Sequence, residues 1–395
     1  MSKFLMGTAL STVMISFSVC LAWSGLAWAN DGPSNLSANE IGEVSSAASH
    51  ATRLSIFKPR PQGKKRTLDY SIWDEALDKV VIDLGPSTRF RADSARPAVG
   101  TRFVRGHKSA YRLEGSRFTF EYITDDYAQG LTDYRMDLQD IATKYDITIF
   151  PKDEQLAFWL NLYNVATIEK IADSYPVQRP DSIKIKINGE KYTLDEAPFI
   201  SISGVNLSLK DIRENIVYQN WDNPLVIYGF FRGEVGSPSL QKYAFTGADV
   251  NLMLSQNADD FVNSLRGFNL GFKTRNVSKI YQEASPYFFP NLEVDLESHL
   301  RLYANEEVKV EVSKPLPFRF ERYDNMIADL SGGRRLGSSG TSNGNSSLSP
   351  EILRLLREAQ EKREFLIRND KLKERKGYVI IEDLVPEEDK EASNP

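Results

Sequence analysis

Apolar positions recur at helical spacing over residues 70–81, where Trp73, Leu77 and Val80 fall on one face. The same period returns over residues 247–265, with Val250, Leu254, Phe261 and Leu265 aligned. Between these stretches, Ser182-Ile183-Lys184-Ile185-Lys186-Ile187 alternates polar and apolar, and Asn188-Gly189 interrupts it before Glu190-Lys191-Tyr192-Thr193-Leu194. Alternation around Asn-Gly predicts a β-hairpin, because both central residues of the tight turn need positive φ. Ser208, with Asp211 three residues on, predicts a capped helix running through Ile212 and Ile216. The continuous apolar run 225–231 predicts a buried strand. Glu293, Asp295, Glu297 and His299 alternate with Leu292, Val294, Leu296 and Ser298, which reads as an amphipathic segment; a cation site on one strand face is the alternative. These elements predict a mixed α/β (α+β) fold, a single globular domain over residues 67–330 with a central helix, a β-hairpin and a small sheet, flanked by flexible segments.

The flanks differ in pattern. Lys3 is the only charge before Asp31, and the apolar stretch between them ends in Ala27-Trp28-Ala29, the small-residue signature of a signal-peptidase site. Residues 1–29 are read as a cleaved export signal, with an inner-membrane anchor formed by residues 4–29 as the alternative. Residues 30–66 read as a basic flexible tether, carrying Arg53, Lys58, Arg60, Lys64, Lys65 and Arg66 with Pro59 and Pro61. A solvated linker is the plainer reading of the arm 53–66, and contact with anionic lipid headgroups the other. Residues 331–349 are rich in Ser, Gly, Thr and Asn and read as a linker. Ser349-Pro350 then opens a charged helix over 350–376, followed by an acidic tail over 377–395.

Composition removes several classes. Hydrophobic residues make up 41% and charged residues 26%, enough for a sizeable core. A net charge of −5 speaks against a dedicated nucleic-acid binder. The single cysteine, Cys20, lies in the first apolar stretch, so cysteine-ligated metals, internal disulfides and a thiolate nucleophile are excluded from the body of the chain. Nothing in the sequence calls for a cofactor or a metal. The export signal and the cysteine-free body together predict a periplasmic or secreted protein.

The stretch Asp153-Glu154-Gln155-Leu156-Ala157-Phe158-Trp159-Leu160-Asn161-Leu162-Tyr163-Asn164 resembles the signature helix of the domain-of-unknown-function 547 family. Later landmarks follow in the family's order: Tyr175-Pro176, Leu207-Ser208-Leu209-Lys210-Asp211-Ile212, Ser237-Pro238-Ser239-Leu240, Ser278-Lys279-Ile280-Tyr281 and Tyr323-Asp324. The resemblance spans about residues 70–330. It implies a divergent member. Where the family pattern continues Glu-His, this chain has Arg213 and Glu214, and the His and Cys positions of the apolar run hold Ile227 and Arg232. The Cys of the family's Cys-Pro-Pro-Leu is Ser237. If the family arrangement is kept, Arg213, Glu214 and Arg232 lie close together in the pocket that His and Cys occupy elsewhere, as an Arg–Glu pair.

The candidate pocket residues are therefore Asn161, Asn164, Arg213, Glu214, Arg232, Glu234 and Ser237. Asn161 and Asn164 share a helix face and read either as polar anchors of a cleft or as buried amides holding a neighbouring loop. The loop 232–240, rich in Gly and hydroxyls, reads as a ligand loop or a structural turn. His107 and His299 read as structural or surface residues. The basic stretch 89–117 reads as an irregular surface insertion, with an anion-facing patch as the alternative. Two functions fit. One is an exported binding or interaction module for an unidentified small molecule or envelope protein. The other is a hydrolase or acyl-transfer enzyme using a serine of the 232–240 loop. The surroundings of Ser237 discriminate between them.

Overall fold

The computed structural model of the protein describes residues 52–63, 66–94, 102, 106–321, 323–335, 348–369 and 372. Residues 1–29, read above as an export signal, the tether up to residue 51, most of the 331–349 linker, the end of the charged helix and the acidic tail lie outside the described residues.

Helix α1 (Ser71–Val80) buries Trp73, Leu77 and Val80, the face its period specifies. It runs into β1 (Val81–Asp83), which pairs antiparallel with β2 (Ser116–Phe118). Thr124 caps α2 (Asp125–Lys144) by accepting from the Tyr127 N–H. That helix lies along α3 (Lys152–Asp173), the centre of the fold. Asp153 and Glu154 in the first turn of α3 complement the helix dipole. From Glu154 to Glu169 every residue of α3 is buried, because its apolar positions run all the way round and neighbours must cover every side. Trp159 is fully buried, with Phe57 edge-on at 5.3 Å. The one charge deep in this helix, Glu169, is met by Arg135 and Thr132 of α2.

The hairpin forms as its pattern predicts, from β3 (Lys184–Ile187) and β4 (Glu190–Thr193), with Asn188 at φ +50° and Gly189 at φ +91°. A second hairpin joins β5 (Ile200–Ile202) to β6 (Val205–Leu207). Next come a π-helical segment, Asp211–Tyr218, and a 3-10 segment, Pro224–Gly229. Helix α4 (Val250–Val262) leads to the small sheet. There β7 (Phe268–Leu270) is antiparallel to β8 (Arg275–Ser278). Helices α5 (Lys279–Phe288), α6 (Leu292–Tyr303) and α7 (Glu306–Val312) follow, before β9 (Phe318–Glu321) adds parallel to β8. The last element is α8 (Pro350–Arg368), capped by Ser349. The fold is mixed α/β, with a central helix, a hairpin and a small sheet.

Several local expectations are corrected. The apolar run 225–231 is no strand: its first five residues lie in the 3-10 helix Pro224–Gly229, with Pro224 at its first turn and the Asn223 side chain capping the Leu225 N–H. Residues Leu225 to Gly229 are all buried, so an all-apolar run carried no period to distinguish the two. Gly229 is required here, since a Cβ would lie 2.6 Å from Leu160 of α3. The alternating segment 292–299 is helical; Glu293 and Glu297, one turn apart, both bind Arg275. Among the described residues no cluster of His, Cys, Asp or Glu could hold a metal.

The described part of the presumed tether packs on the domain. Leu54 and Phe57 are core residues, and the N–H groups of Arg60 and Gln62 donate to the carbonyls of Thr148 and Ile149. The basic stretch is only partly a surface insertion: Arg91, Arg102 and Lys108 are exposed, but Arg112 and Arg117 are buried. The domain also runs past residue 330. Ser331, Gly332 and Gly333 are buried, and the buried Asp329 carboxylate accepts from the N–H of Phe120, Ser331 and Gly333. Helix α8, read as a separate charged helix, buries Ile352, Leu355 and Leu366 on this body.

Candidate functional site

Five parts of the chain converge on one cleft of about 410 Å³. Helix α3 contributes Tyr163 and Thr167. The turns flanking the first hairpin bring Asp181 and Asp195. The π-helical segment brings Arg213 and Glu214, and the loop after the 3-10 helix brings Arg232 and Glu234. Lys279 and Glu283 come from the first turns of α5, which Ser278 caps. The π-segment begins as the sequence specifies, because Ser208 and Asp211 bond reciprocally in a capping box. Its wider turn is a geometry often found at functional positions.

The two arginines are held by carboxylates. Arg213 donates to both oxygens of Asp195, at 2.6 and 2.8 Å, to Glu214 at 2.8 Å and to the Tyr163 hydroxyl at 3.3 Å. Its side chain is 3% exposed. Arg232 donates to Glu283 at 2.7 Å. Burial disfavours the charge of Arg213, but the adjoining Asp195 outweighs it and raises the guanidinium pKa further. Burial also pushes Asp195 and Glu283 upward, and Arg213 and Arg232 respectively override it, holding both carboxyls below their usual range. Glu234 goes the other way. Burial pushes its carboxyl up to about 8 despite the pull of Arg232, with Asp181 adding to the rise. At neutral pH Glu234 is mainly the neutral acid.

The seven sequence-derived candidates divide. Arg213, Glu214, Arg232 and Glu234 line the cleft together. Arg232 pairs with Glu283, however, and it is Arg213 that pairs with Glu214. Asn161 and Asn164 are structural. Asn161 donates to the Phe245 carbonyl and accepts from its N–H; Asn164 donates to Gly229 O and accepts from Phe231 N–H. The rest of the signature helix follows suit. Glu154 accepts from the Leu68 N–H, and Gln155 donates to the carbonyls of Thr148 and Phe150. Of the polar residues in that motif, Tyr163 is the one whose side chain reaches the cleft.

Ser237 is buried, and its hydroxyl donates to the carbonyls of Glu234 and Pro238. Ser239 donates to Asp260 at 2.7 Å, but Arg266 holds the same carboxylate oxygen at 2.9 Å, which weakens it as a base. Neither histidine is a hydrogen-bond partner of these serines. His107 is fully enclosed, bonded to Ile327 O and to the Ser109 N–H, and burial lowers it to about 3. His299 lies among aromatic rings against the Tyr228 hydroxyl at 2.8 Å, and burial lowers it to about 4.

Sequence reasoning missed Asp181, Asp195, Lys279 and Glu283. Lys279 stood inside the quoted Ser278-Lys279-Ile280-Tyr281 landmark, with Glu283 one turn on, so that pair was within reach. Asp195 follows the hairpin without any distinguishing pattern.

No curated protein sequence and no solved structure matches the chain. A family model described as a protein of unknown function, DUF547, matches residues 147–262. That stretch holds the signature helix, the hairpin, the π-segment and the loop of Arg232 and Glu234, and ends before Lys279 and Glu283. The chain therefore carries a DUF547 region over residues 147–262.

Proposed function

We propose that this protein is an exported, periplasmic binding module that takes a small polar ligand into the Arg213–Arg232 cleft. The observation that carries the reading is the state of those arginines: each is desolvated and already charge-paired, an arrangement that recognises and orients rather than attacks. The serines of the 232–240 loop support it from the other side, since Ser237 is tied to backbone carbonyls and Ser239 to a carboxylate neutralised by Arg266. Export rests on the sequence of residues 1–29.

The test is titration of the purified full chain with sugars, amino acids, short peptides and small anions, followed by tryptophan fluorescence, alongside fractionation of expressing cells. Saturable binding that Arg232→Ala removes while circular dichroism stays native is expected, with the protein in the periplasmic fraction. Ester or amide hydrolysis abolished by Ser237→Ala or Ser239→Ala would establish the hydrolase instead.

A further inference from the structure

The charges of the cleft balance everywhere except at one corner. Asp181 is taken by Arg179. Arg213 pairs with Asp195 and Glu214, and Lys210 adds a second cation beside Asp195. At the remaining corner Arg232 and Lys279 share the single carboxylate of Glu283, at 2.7 and 3.8 Å. The other acid there, Glu234, is kept mainly neutral by burial. Arg232, Lys279 and Glu283 therefore leave one positive charge uncompensated.

The same corner holds unused hydrogen-bonding capacity. Arg232 uses only Nη2, on Glu283. Among the described residues its Nε and Nη1 have no partner, and unlike the Arg213 Nε they are not sealed from solvent. The Lys279 ammonium stands 4.5 Å over the Tyr323 ring without a hydrogen bond, and its side chain is 44% exposed. The Glu234 side chain lines the cleft at 7% exposure, and the Tyr323 hydroxyl approaches it without completing a hydrogen bond. Buried polar groups are nearly always paired, so an unpaired carboxyl facing a cleft marks where a ligand group completes it.

Charge and donors define that group. Arg232, Lys279 and a neutral Glu234 all present N–H or O–H, so the partner is an acceptor. One surplus charge matches a monoanion, whereas a dianion such as a phosphate monoester overshoots it and meets Glu283. A carboxylate satisfies both conditions and takes a charge-assisted O–H···O bond from a carboxylic acid. Pro180, Leu194 and Leu209 give the same cleft an apolar wall for a short carbon skeleton.

Building on the reading of this cleft as a binding site, we infer that its ligand is a small organic acid whose carboxylate is held by Arg232, Lys279 and the Glu234 carboxyl. Ionised Glu234 would cancel the surplus charge and repel the ligand, so binding carries a pH dependence. Burial and Asp181 hold the Glu234 proton, and Arg232 and Lys279 favour its loss. Arg179 and Tyr323 complete the charged and titratable groups around it.

The test is isothermal titration of the full chain with butyrate and butyramide, which share a skeleton and differ in charge. At pH 6.5 butyrate should bind about 10-fold or more tightly than butyramide, the value of a charge-assisted contact. At pH 9 only about one-tenth of the protein keeps the Glu234 proton, so butyrate should bind about 10-fold more weakly than at pH 6.5. Glu234→Gln, neutral at every pH, should bind butyrate equally at both. Lys279→Met should erase the preference for butyrate; that side chain is partly exposed, so the variant remains a fair test if Glu234→Gln unfolds. Equal binding of butyrate and butyramide at pH 6.5, butyrate affinity unchanged by Lys279→Met, or parent and Glu234→Gln sharing one pH profile overturns the inference. If a sugar saturates the cleft while butyrate at about 10 mM does not, the organic-acid inference fails and the binding module stands. Serine-dependent ester hydrolysis by a chain that still prefers butyrate removes the binding module and leaves the carboxylate site.

Discussion

Arg112 grips Glu358 with two parallel hydrogen bonds, Nε to Oε2 at 2.7 Å and Nη2 to Oε1 at 3.1 Å, and so fastens α8 to the domain. Arg112 is 2% exposed, so removing the carboxylate strands a buried cation. One turn further along α8, the Lys362 ammonium donates to the carbonyls of Leu84, Gly85 and Leu113, an anchor that complements the apolar contact of Ile352 and Leu355. Glu358→Ala should cost about 2–3 kcal/mol, below the full value for a buried pair because Glu358 keeps some solvent contact. Truncation after residue 347 should cost more. Urea denaturation measures both, and unchanged midpoints would mean that α8 is dispensable.

Phe57 makes the same point at the other end of the domain. Its ring is buried edge-on against Trp159, on a segment otherwise rich in charge. Phe57→Ala should destabilise the protein by about 3–5 kcal/mol, as should Trp159→Ala. Ile56→Ala, at an exposed neighbour, should change stability by less than about 0.5 kcal/mol. Equal effects at positions 56 and 57 in thermal or chemical unfolding would place this segment outside the core.

What the sequence made legible was local. The hairpin could be read because Asn188-Gly189 has one good backbone solution, and α3 because its residue types fit burial on all sides. The run 225–231 could not be read: with every residue buried, pattern vanishes, and Pro224 is compatible with the start of either element. Leu54 and Phe57 were hidden because two apolar residues among many basic ones look like composition, and their burial is decided by distant residues such as Trp159. At the site, Arg213, Glu214, Arg232 and Glu234 were found by departure from a family pattern. Their partners Asp195 and Glu283 were not, because an ion pair between residues 213 and 195, or 232 and 283, leaves no trace in local spacing. The asparagines of the signature helix were legible as polar and buried. Their role became clear only with the loops they hold.

Gly233 connects the two arguments, fold and site, since it lies between Arg232 and Glu234. It takes φ +76°, and a Cβ there would stand 2.1 Å from Ile171 Cδ1 on the central helix. Gly233→Ala therefore combines left-handed backbone strain with overpacking and should cost about 2–4 kcal/mol. It should also weaken whatever ligand the cleft holds, since Arg232 and Glu234 flank the displaced atom. A variant as stable as the parent, with unaltered ligand affinity, would show that the loop adapts freely.

Glu234 gives the protein a pH dependence of definite sign. Its folded pKa, about 8, lies above the ordinary value of 4.5, so between those limits the native state keeps a proton that the unfolded chain has released. Stability from this group is complete below about pH 4.5 and is lost as pH rises through about 8. His107 acts in the opposite window: lowered from 6.5 to about 3, it costs stability as pH falls below 6.5. Glu234→Gln imitates the neutral acid at every pH. Its stability relative to the parent should therefore increase by a few kcal/mol between pH 5 and 8, since each unit of pKa displacement corresponds to about 1.4 kcal/mol. The acid limb set by His107 should remain. Unfolding free energies measured by urea titration across pH 4 to 9 decide the matter, and parallel curves for parent and variant would mean that Glu234 is ionised in the cleft, adding a fifth carboxylate charge to its lining.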